Sequence, residues 1–203
     1  MKTTKKEKMY IYRMLRPILG PIYKLYYNPK IIGKENIPKT DSILVVGNHK
    51  HVMDQCSCII STKRPIHYMA KKEYFDGKFA WFFKRVGCIP VNRSIKDENA
   101  KSAALEVLEN GFALGLFPEG TRNKTDKFLL PFKFGAVSMA QKTDSYLVPF
   151  GVTGDYKFRS KNLVVRFGKP FKVKKNESLE DANKRLEKVI GDLMRENLKN
   201  SEK

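Results

Sequence analysis

The stretch VVGNHKHVMDQC, residues 45–56, decides the fold class, because a short apolar run ends there in a cluster of polar side chains. The run SILVV (42–46) is apolar and β-branched and lies between an aspartate and a glycine, which is typical of a buried β-strand. In α/β folds, the reacting groups lie just beyond the carboxyl ends of strands. His49 and Asp54 are therefore the first candidates for a functional pair.

The rest of the chain alternates between short apolar runs and segments with helical periodicity. The predicted strands are ILVV (43–46), IHYMA (66–70), CIPV (88–91), FALGLF (112–117), YLVPFGV (146–152) and LVVRF (163–167). The predicted helices lie roughly at 52–61, 74–85, 97–109 and 132–142, with a terminal helix at about 178–198 that a capping box of Ser178 and Asp181 opens. This alternation predicts a single α/β domain with a mostly parallel central sheet flanked by helices.

The N-terminal stretch MYIYRMLRPILGPIYKLYYN, residues 9–28, predicts a helical segment that lies on a membrane surface. Three basic residues interrupt it, whereas a membrane-spanning helix needs about 20 consecutive apolar residues, and no signal-peptide cleavage site follows. Its apolar side chains, tyrosines and basic residues suit a headgroup layer, and its two prolines predict a kinked or two-piece helix. We expect residues 1–30 to form this amphipathic segment and residues 31–203 the α/β domain. The alternative is a helix pair that packs on the protein's own core.

The charge of the chain favours anionic partners. Its 203 residues carry 40 Lys plus Arg against 21 Asp plus Glu, a formal net charge of +19. Such a surplus attracts nucleic acid, an anionic membrane surface, or acidic substrates and carriers, and the alternative is a merely solvated lysine-rich surface. No helix-turn-helix, zinc-finger or RNA-recognition signature is present, so we expect no nucleic-acid partner, and a basic nucleic-acid-binding protein is only a remote alternative. The three cysteines form no disulfide-framework pattern, which favours a reducing compartment.

His49 and Asp54 are five residues apart, and five helical steps turn a side chain by roughly 140° relative to the first. They can meet if His49 lies in the loop after the strand and Asp54 lies in the first turn of the next helix. The carboxylate would then orient the imidazole and leave its other nitrogen as a general base toward a hydroxyl. One alternative is a structural histidine beside a helix-initiating aspartate. Another alternative is a metal cluster made of His49, His51, Cys56 and Cys58. The spacing of these residues, however, is not that of ordinary zinc sites.

Two further strand ends carry groups that suit a phosphorylated substrate. In LGLFPEGTRNK (114–124), Gly120 allows a close backbone approach, Thr121 supplies a hydroxyl, and Arg122 offers a planar fork that matches phosphate oxygens. GCIPVNR places Arg93 beyond another short strand. A base and two arginines at three strand ends indicate a site for a phosphorylated substrate.

Together these motifs resemble those of the glycerolipid acyltransferase family, in its lysophosphatidate acyltransferase branch. NHKHVMD is similar to the family's Asn-His-x-Ser-x-x-Asp block, GCIPVNR to its second block and FPEGTR to its third, and LVPFGV (147–152) lies where the fourth, proline-containing block belongs. The matches run in family order from about Ile32 to Phe171. His51 occupies the family's serine position, and histidine is the poorer helix cap, so local geometry or acceptor preference is expected to differ there.

The resemblance implies a role for each matching residue. His49 would be the general base on the acceptor hydroxyl, with Asp54 as its orienting partner. Pro149 would shape the acyl-donor side. Arg122 would be the strongest phosphate ligand. The glycerol-phosphate site would comprise Lys71, Arg93, Glu119, Gly120, Thr121 and Arg122.

The implied reaction moves a fatty acyl group from acyl-CoA or acyl carrier protein to the free sn-2 hydroxyl of 1-acylglycerol 3-phosphate, which gives phosphatidic acid. It requires no metal and no bound cofactor. A sister activity on glycerol 3-phosphate or another lyso-lipid acceptor is the alternative. A lipid substrate implies peripheral attachment to the cytoplasmic face of the cell membrane, and GKFAWFFKRVG (77–87) is a second aromatic and basic stretch that enters this interface or packs in the core.

Overall fold

The computed structural model describes residues 9–92 and 94–199. The helices in this part of the chain are α1 (Tyr10–Tyr27), α2 (Asp54–Ser61), α3 (Ala80–Arg85), α4 (Glu98–Glu109), α5 (Gly135–Thr143) and α6 (Leu179–Lys199). The strands are β1 (Lys30–Ile32), β2 (Ile43–Gly47), β3 (Ile66–Lys71), β4 (Ile89–Val91), β5 (Ala113–Leu116), β6 (Tyr146–Thr153) and β7 (Val164–Phe167). Two short 3₁₀ turns cover Lys34–Asn36 and Lys72–Phe75.

The described strands form one seven-stranded sheet in the order β1-β7-β6-β2-β5-β3-β4. Neighbouring strands are parallel throughout, except that β6 and β7 are antiparallel. The predicted α/β domain with a mostly parallel sheet is therefore confirmed. Strand β2 lies at the centre, where Val46 pairs with Leu116 of β5 and Pro149 of β6. This register brings the segments that follow β2 and β5 to the same edge of the sheet.

The core occupies both faces of the sheet, as a parallel sheet covered by helices requires. Successive strand residues point to opposite faces. Leu44 and Val46 pack with helices α4, α5 and α6, whereas Ile43 and Val45 pack on the other face, together with Cys58 of α2. Because β2 is buried on both sides, its sequence is a continuous apolar run.

Side-chain caps define the starts of two helices. The Asp97 carboxylate accepts a hydrogen bond from the Ala100 amide at 2.9 Å and begins α4. Ser178 Oγ accepts from the Asp181 amide at 3.0 Å and donates to the Asp181 carboxylate at 2.7 Å. The serine half of the predicted capping box is thus confirmed. The predicted helix at 74–85 is wrong in extent, because only Ala80–Arg85 is α-helical. Gly77 lies within the predicted span, and glycine destabilises a helix interior.

Helix α1 is continuous over 18 residues although Pro17 and Pro21 lie within it, so of the predicted kinked or two-piece helix the two-piece form is wrong and the kink stays a prediction. Contacts with α2 hold both halves in place. The Arg16 guanidinium donates to the carbonyls of Ile59 and Ile60 at 3.0 and 3.3 Å. Two residues beyond Pro21, the Tyr23 hydroxyl lies 2.6 Å from Ser57 Oγ.

The side of α1 that faces away from α2 is apolar and exposed. Within residues 9–92 and 94–199, no helix has both the length and the apolar character that crossing a bilayer requires. Trp81 of α3 is 60% exposed, so the alternative in which residues 77–87 pack in the core does not hold for this side chain. The exposed large hydrophobic residues of α1 and of the segment that begins α3 are Tyr10, Met14, Ile18, Leu19, Ile22, Leu25, Tyr26, Phe79 and Trp81.

Candidate active site

The paired side chains of His49 and Asp54 lie at the carboxyl end of β2. His49 is in the loop after the strand, and Asp54 is the first residue of α2, as the sequence predicted. Asp54 Oδ2 lies 2.7 Å from His49 Nδ1 and also accepts hydrogen bonds from the amides of Lys50 and His51, each at 2.8 Å. Asp54 is fully buried. These contacts fix the carboxylate against one ring nitrogen and assign the proton to Nδ1.

A second contact fixes the plane of the His49 ring. The ring stacks on Phe117, which follows β5, with centroids 3.9 Å apart and planes inclined by 13°. The His49 side chain is 14% exposed. Because Nδ1 is bound to Asp54, Nε2 is the ring nitrogen that can meet a substrate.

His49 lines a cavity of about 340 Å³ that is largely apolar. Its apolar wall comes from β3, β4, β5 and α5 and includes Met69, Val91, Leu116 and Met139. Lys101 and Lys133 also line it. A cavity of this kind can hold an apolar group beside a base, with cations in its wall that attract an anionic group.

Glu119 holds the loop that carries His49. Its Oε1 accepts from the His49 amide at 2.7 Å and its Oε2 accepts from the Leu130 amide at 3.0 Å. The side chain is only 4% exposed, and burial raises the pKa of Glu119, although these two hydrogen bonds oppose the shift. The role of Glu119 in binding glycerol phosphate stays a prediction; in the structure each of its oxygens already accepts a hydrogen bond from a backbone amide.

The third motif holds the first motif at another point as well. The amide of Asn123 donates to the carbonyl of His49 at 2.6 Å. Both backbone groups of His49 are thus bonded to the segment that follows β5.

The remaining predicted phosphate ligands are dispersed. Gly120 lines the cavity with φ at 69°, a left-handed conformation that glycine adopts without strain. Thr121, Arg122 and Lys71 are exposed and are not among the residues that line the cavity. Arg93 lies outside the described residues. Gly120 therefore lines the same cavity as His49, whereas Thr121, Arg122 and Lys71 lie at the outer surface.

Two other predicted positions lie within or beside the core. Pro149 is buried in β6, where it pairs with Val46, and it is not among the residues that line the cavity. His51 Nδ1 accepts from the Met53 amide at 3.3 Å, and its ring stacks on Tyr156 at 4.4 Å. In the described part of the chain, no group of three or more His, Cys, Asp or Glu side chains is placed to hold a metal ion.

Sequence reasoning missed Lys133 and Lys101. A Cβ atom added to Gly120 would meet the Cε and Nζ atoms of Lys133 at 2.9 Å, so the lysine passes directly over the glycine. No carboxylate among the described residues forms an ion pair with Lys133. The signal was its segment PFKFGA (131–136), which fits the family pattern between the third and fourth blocks.

Comparisons with known proteins identify the family of this chain. The family profile described as Acyltransferase matches residues 28–153, which include all four motifs. A 1-acyl-sn-glycerol-3-phosphate acyltransferase of Bacillus subtilis is 32% identical over 146 residues, which cover 71% of this chain and 72% of that protein. The one from Borreliella burgdorferi is 34% identical over 141 residues, which cover 68% and 56%. The crystal structure of the 1-acyl-sn-glycerophosphate (LPA) acyltransferase PlsC from Thermotoga maritima aligns with a TM-score of 0.75 and 25% identity over 97% of this chain and 83% of that one.

Proposed function

This chain belongs to the acyltransferase family, and from this premise we propose that it transfers a fatty acyl group from an acyl thioester to the free sn-2 hydroxyl of 1-acylglycerol 3-phosphate. The product is phosphatidic acid. The observation that carries the proposal is the pair of His49 and Asp54, since the pair lies inside the matched residues and opens on a largely apolar cavity. The names of the Bacillus and Borreliella relatives support the choice of acceptor.

His49 acts as the general base in the proposed mechanism. Nε2 takes the proton of the acceptor hydroxyl while the hydroxyl oxygen attacks the carbonyl carbon of the thioester. The tetrahedral oxyanion, which backbone amides near the motifs stabilise, then collapses. The carbon–sulfur bond breaks, and the imidazolium returns its proton to the departing thiolate.

Asp54 orients the base and stabilises the imidazolium that forms during attack. Two backbone amides hold its Oδ2 in addition to His49, so the carboxylate cannot turn away from the ring without breaking three hydrogen bonds. Glu119 acts one step further from the reaction, because it holds the backbone of His49.

Lys133 is a proposed ligand of the acceptor phosphate from within the cavity. It lines the same cavity as His49 and passes over Gly120, and an ammonium group binds phosphate as a point charge. Arg122 lies two residues after Gly120 in the exposed part of the same loop. Arg122 and Lys71 are proposed to draw the phosphate in from the surface.

The donor is an acyl thioester, either acyl-CoA or acyl carrier protein. A thioester is already activated toward attack, so the proposed reaction uses no metal and no bound cofactor. Both donors are anionic, and the formal net charge of +19 favours the approach of either one.

The proposed location is the cytoplasmic face of the cell membrane, with the protein bound peripherally. The exposed apolar side of α1 repeats at helical spacing, as in Met14, Ile18 and Ile22, and such a side inserts shallowly into a headgroup layer. Trp81 of α3 extends this surface, since α3 contacts α1. Each basic residue near an anionic bilayer adds about 1 kcal/mol of attraction.

A panel assay tests the proposed function. The purified protein is incubated with lysophosphatidate, glycerol 3-phosphate or another lysophospholipid, each with acyl-CoA and with acyl carrier protein as donor, and products are read by mass spectrometry. Phosphatidic acid should form fastest from lysophosphatidate. Faster acylation of glycerol 3-phosphate would assign the sister activity, and no acyl transfer to any acceptor would contradict the proposal.

A further inference from the structure

The second oxygen of the Asp54 carboxylate lacks a hydrogen-bond donor. Oδ2 has three donors, whereas Oδ1 is buried and has none among the described residues. A buried carboxylate oxygen without a donor is costly. We therefore expect a neighbouring group to donate a hydrogen bond to Oδ1 in the assembled site.

Tyr156 is the side chain placed to do so. It follows β6, and its hydroxyl lies 3.4 Å from Ser57 Oγ, one helical turn beyond Asp54. Burial and, after it, the negative charge of Asp54 raise the pKa of Tyr156 well above its ordinary value, so the phenol keeps its proton and can donate it in a hydrogen bond. The ring is held between His51, which stacks on it at 4.4 Å, and Tyr27, which meets it edge-on at 5.5 Å.

The same hydroxyl cluster reaches the N-terminal helix. Ser57 is fully buried, and its Oγ lies 2.6 Å from the hydroxyl of Tyr23 on α1. The Tyr23 hydroxyl also lies 3.4 Å from the carbonyl of Met53, the residue before Asp54. Phenylalanine and alanine would fill the same space, so three converging hydroxyls, two of them on the buried residues Tyr23 and Ser57, indicate a polar role for the cluster.

We propose that Tyr156 is a positioning residue for Asp54: its hydroxyl donates to Oδ1, and Ser57 and Tyr23 hold it in place from α1. The inference deepens the proposed function, because the effect on catalysis rests on Asp54 as the partner of the base. It also links α1 to the catalytic pair. Contacts of α1 with a membrane that favour its docked position would favour the ordered pair as well.

The first test compares two Tyr→Phe variants that each remove one hydroxyl from the same aromatic cluster. Tyr156→Phe should lower kcat about tenfold, the effect of losing one hydrogen bond to a charged group, and leave the KM for lysophosphatidate unchanged. Tyr27→Phe is the matched control, since its ring packs on Tyr156 and its hydroxyl is in no hydrogen bond among the described residues. An unchanged kcat in Tyr156→Phe, or an equal loss in Tyr27→Phe, would overturn the inference.

The second test asks whether the hydroxyls act as a unit. Ser57→Ala and Tyr23→Phe should each lower kcat less than Tyr156→Phe does. Either one combined with Tyr156→Phe should add little further loss, because the removed groups belong to one network. Fully additive losses would contradict the network. If Tyr156→Phe does not fold, Ser57→Ala decides, since an unchanged kcat there would overturn the link from α1.

The third test does not depend on acyl transfer. The chain has three histidines, so the ring N–H resonance of His49 can be assigned by its loss in His49→Gln. It should shift in Tyr156→Phe and stay in place in Tyr27→Phe, because only the first changes the carboxylate that His49 contacts. An unmoved resonance in Tyr156→Phe would reject the network even if acyl transfer is confirmed. A moved resonance with no acyl transfer in the wild type would reject the proposed function alone.

Discussion

The carboxylate of Glu119 accepts a hydrogen bond from the backbone amide of His49 at 2.7 Å. A residue of the third motif thus holds the backbone of the proposed base in the first motif. The two residues are 70 positions apart in sequence and meet because β2 and β5 are parallel neighbours whose carboxyl ends lie side by side. We propose that the glutamate acts on the reaction through the loop that it holds.

Glu119→Gln should lower kcat about tenfold and leave the KM for lysophosphatidate nearly unchanged. The amide keeps the size of the side chain but turns an NH₂ group toward one of two backbone N–H donors, so one buried hydrogen bond is lost at a cost of about 1–3 kcal/mol. Steady-state kinetics and thermal unfolding measure both effects. A rise in acceptor KM with unchanged kcat would instead support the phosphate-binding role that the sequence predicts.

The same substitution predicts a dependence of stability on pH. Burial raises the pKa of Glu119 above its ordinary value of 4.5, so the folded state binds this proton more tightly than the unfolded state. The stabilisation is complete below pH 4.5 and is lost as pH rises through the raised pKa. The free energy of unfolding of the wild type, relative to Glu119→Gln, should therefore fall with rising pH across this window. A difference that rises with pH would show the opposite shift.

Lys133→Ala and Arg122→Ala distinguish the two proposed phosphate contacts. Each should raise the KM for lysophosphatidate and leave the KM for the donor unchanged, and the larger effect, about tenfold or more, is expected for Lys133. Acylation of an uncharged monoacylglycerol should be unaffected. Arg122→Lys should rescue only partly, because an ammonium group lacks the bidentate fork.

Lys124→Ala removes a charge from the same exposed loop and serves as the control. A normal acceptor KM in Lys133→Ala, together with a strong rise in Arg122→Ala, would move the phosphate from the cavity to the outer surface. Normal values in both variants would make Lys71 and Arg93 the next residues to change.

Membrane binding should depend on the outer side of α1. The double variant Ile18→Glu/Ile22→Glu places two charges on an apolar surface where both side chains are more than half exposed. The melting temperature should therefore change little, while flotation with anionic liposomes should fall. High salt should loosen wild-type binding without abolishing it, because salt screens only the electrostatic part. Leu198→Glu, an exposed leucine of α6, is the control, since α6 packs on the opposite face of the sheet from α2. Full flotation of the double variant would exclude α1 as the anchor.

The sequence predicts strands well where burial is continuous. Strand β2 is buried on both faces. Its residues are therefore all apolar, and the sequence shows where the strand begins and ends. Strand β1 was missed because three residues, Lys30–Ile32, are too few to form a pattern. The helix predicted at 74–85 followed the aromatic run and gave too little weight to Gly77.

The part of the candidate site that is formed by residues close in sequence could be predicted. His49 and Asp54 are close in sequence, so a turn between strand and helix suffices to join them. The role of Glu119 and the place of Lys133 depend on contacts that the fold makes between distant segments, and residue type alone does not reveal which atoms a buried carboxylate meets. The exposure of Arg122 likewise follows from the path of its loop.

The central test is the rate of acyl transfer to lysophosphatidate by the wild type and by His49→Ala, measured together with their melting temperatures. The His49 side chain makes one hydrogen bond and one ring contact in the described structure, so its removal should leave the melting temperature within a few degrees. Loss of a general base should lower kcat by about a hundredfold to ten-thousandfold. A folded His49→Ala protein that keeps kcat within tenfold of the wild type would contradict His49 as the base.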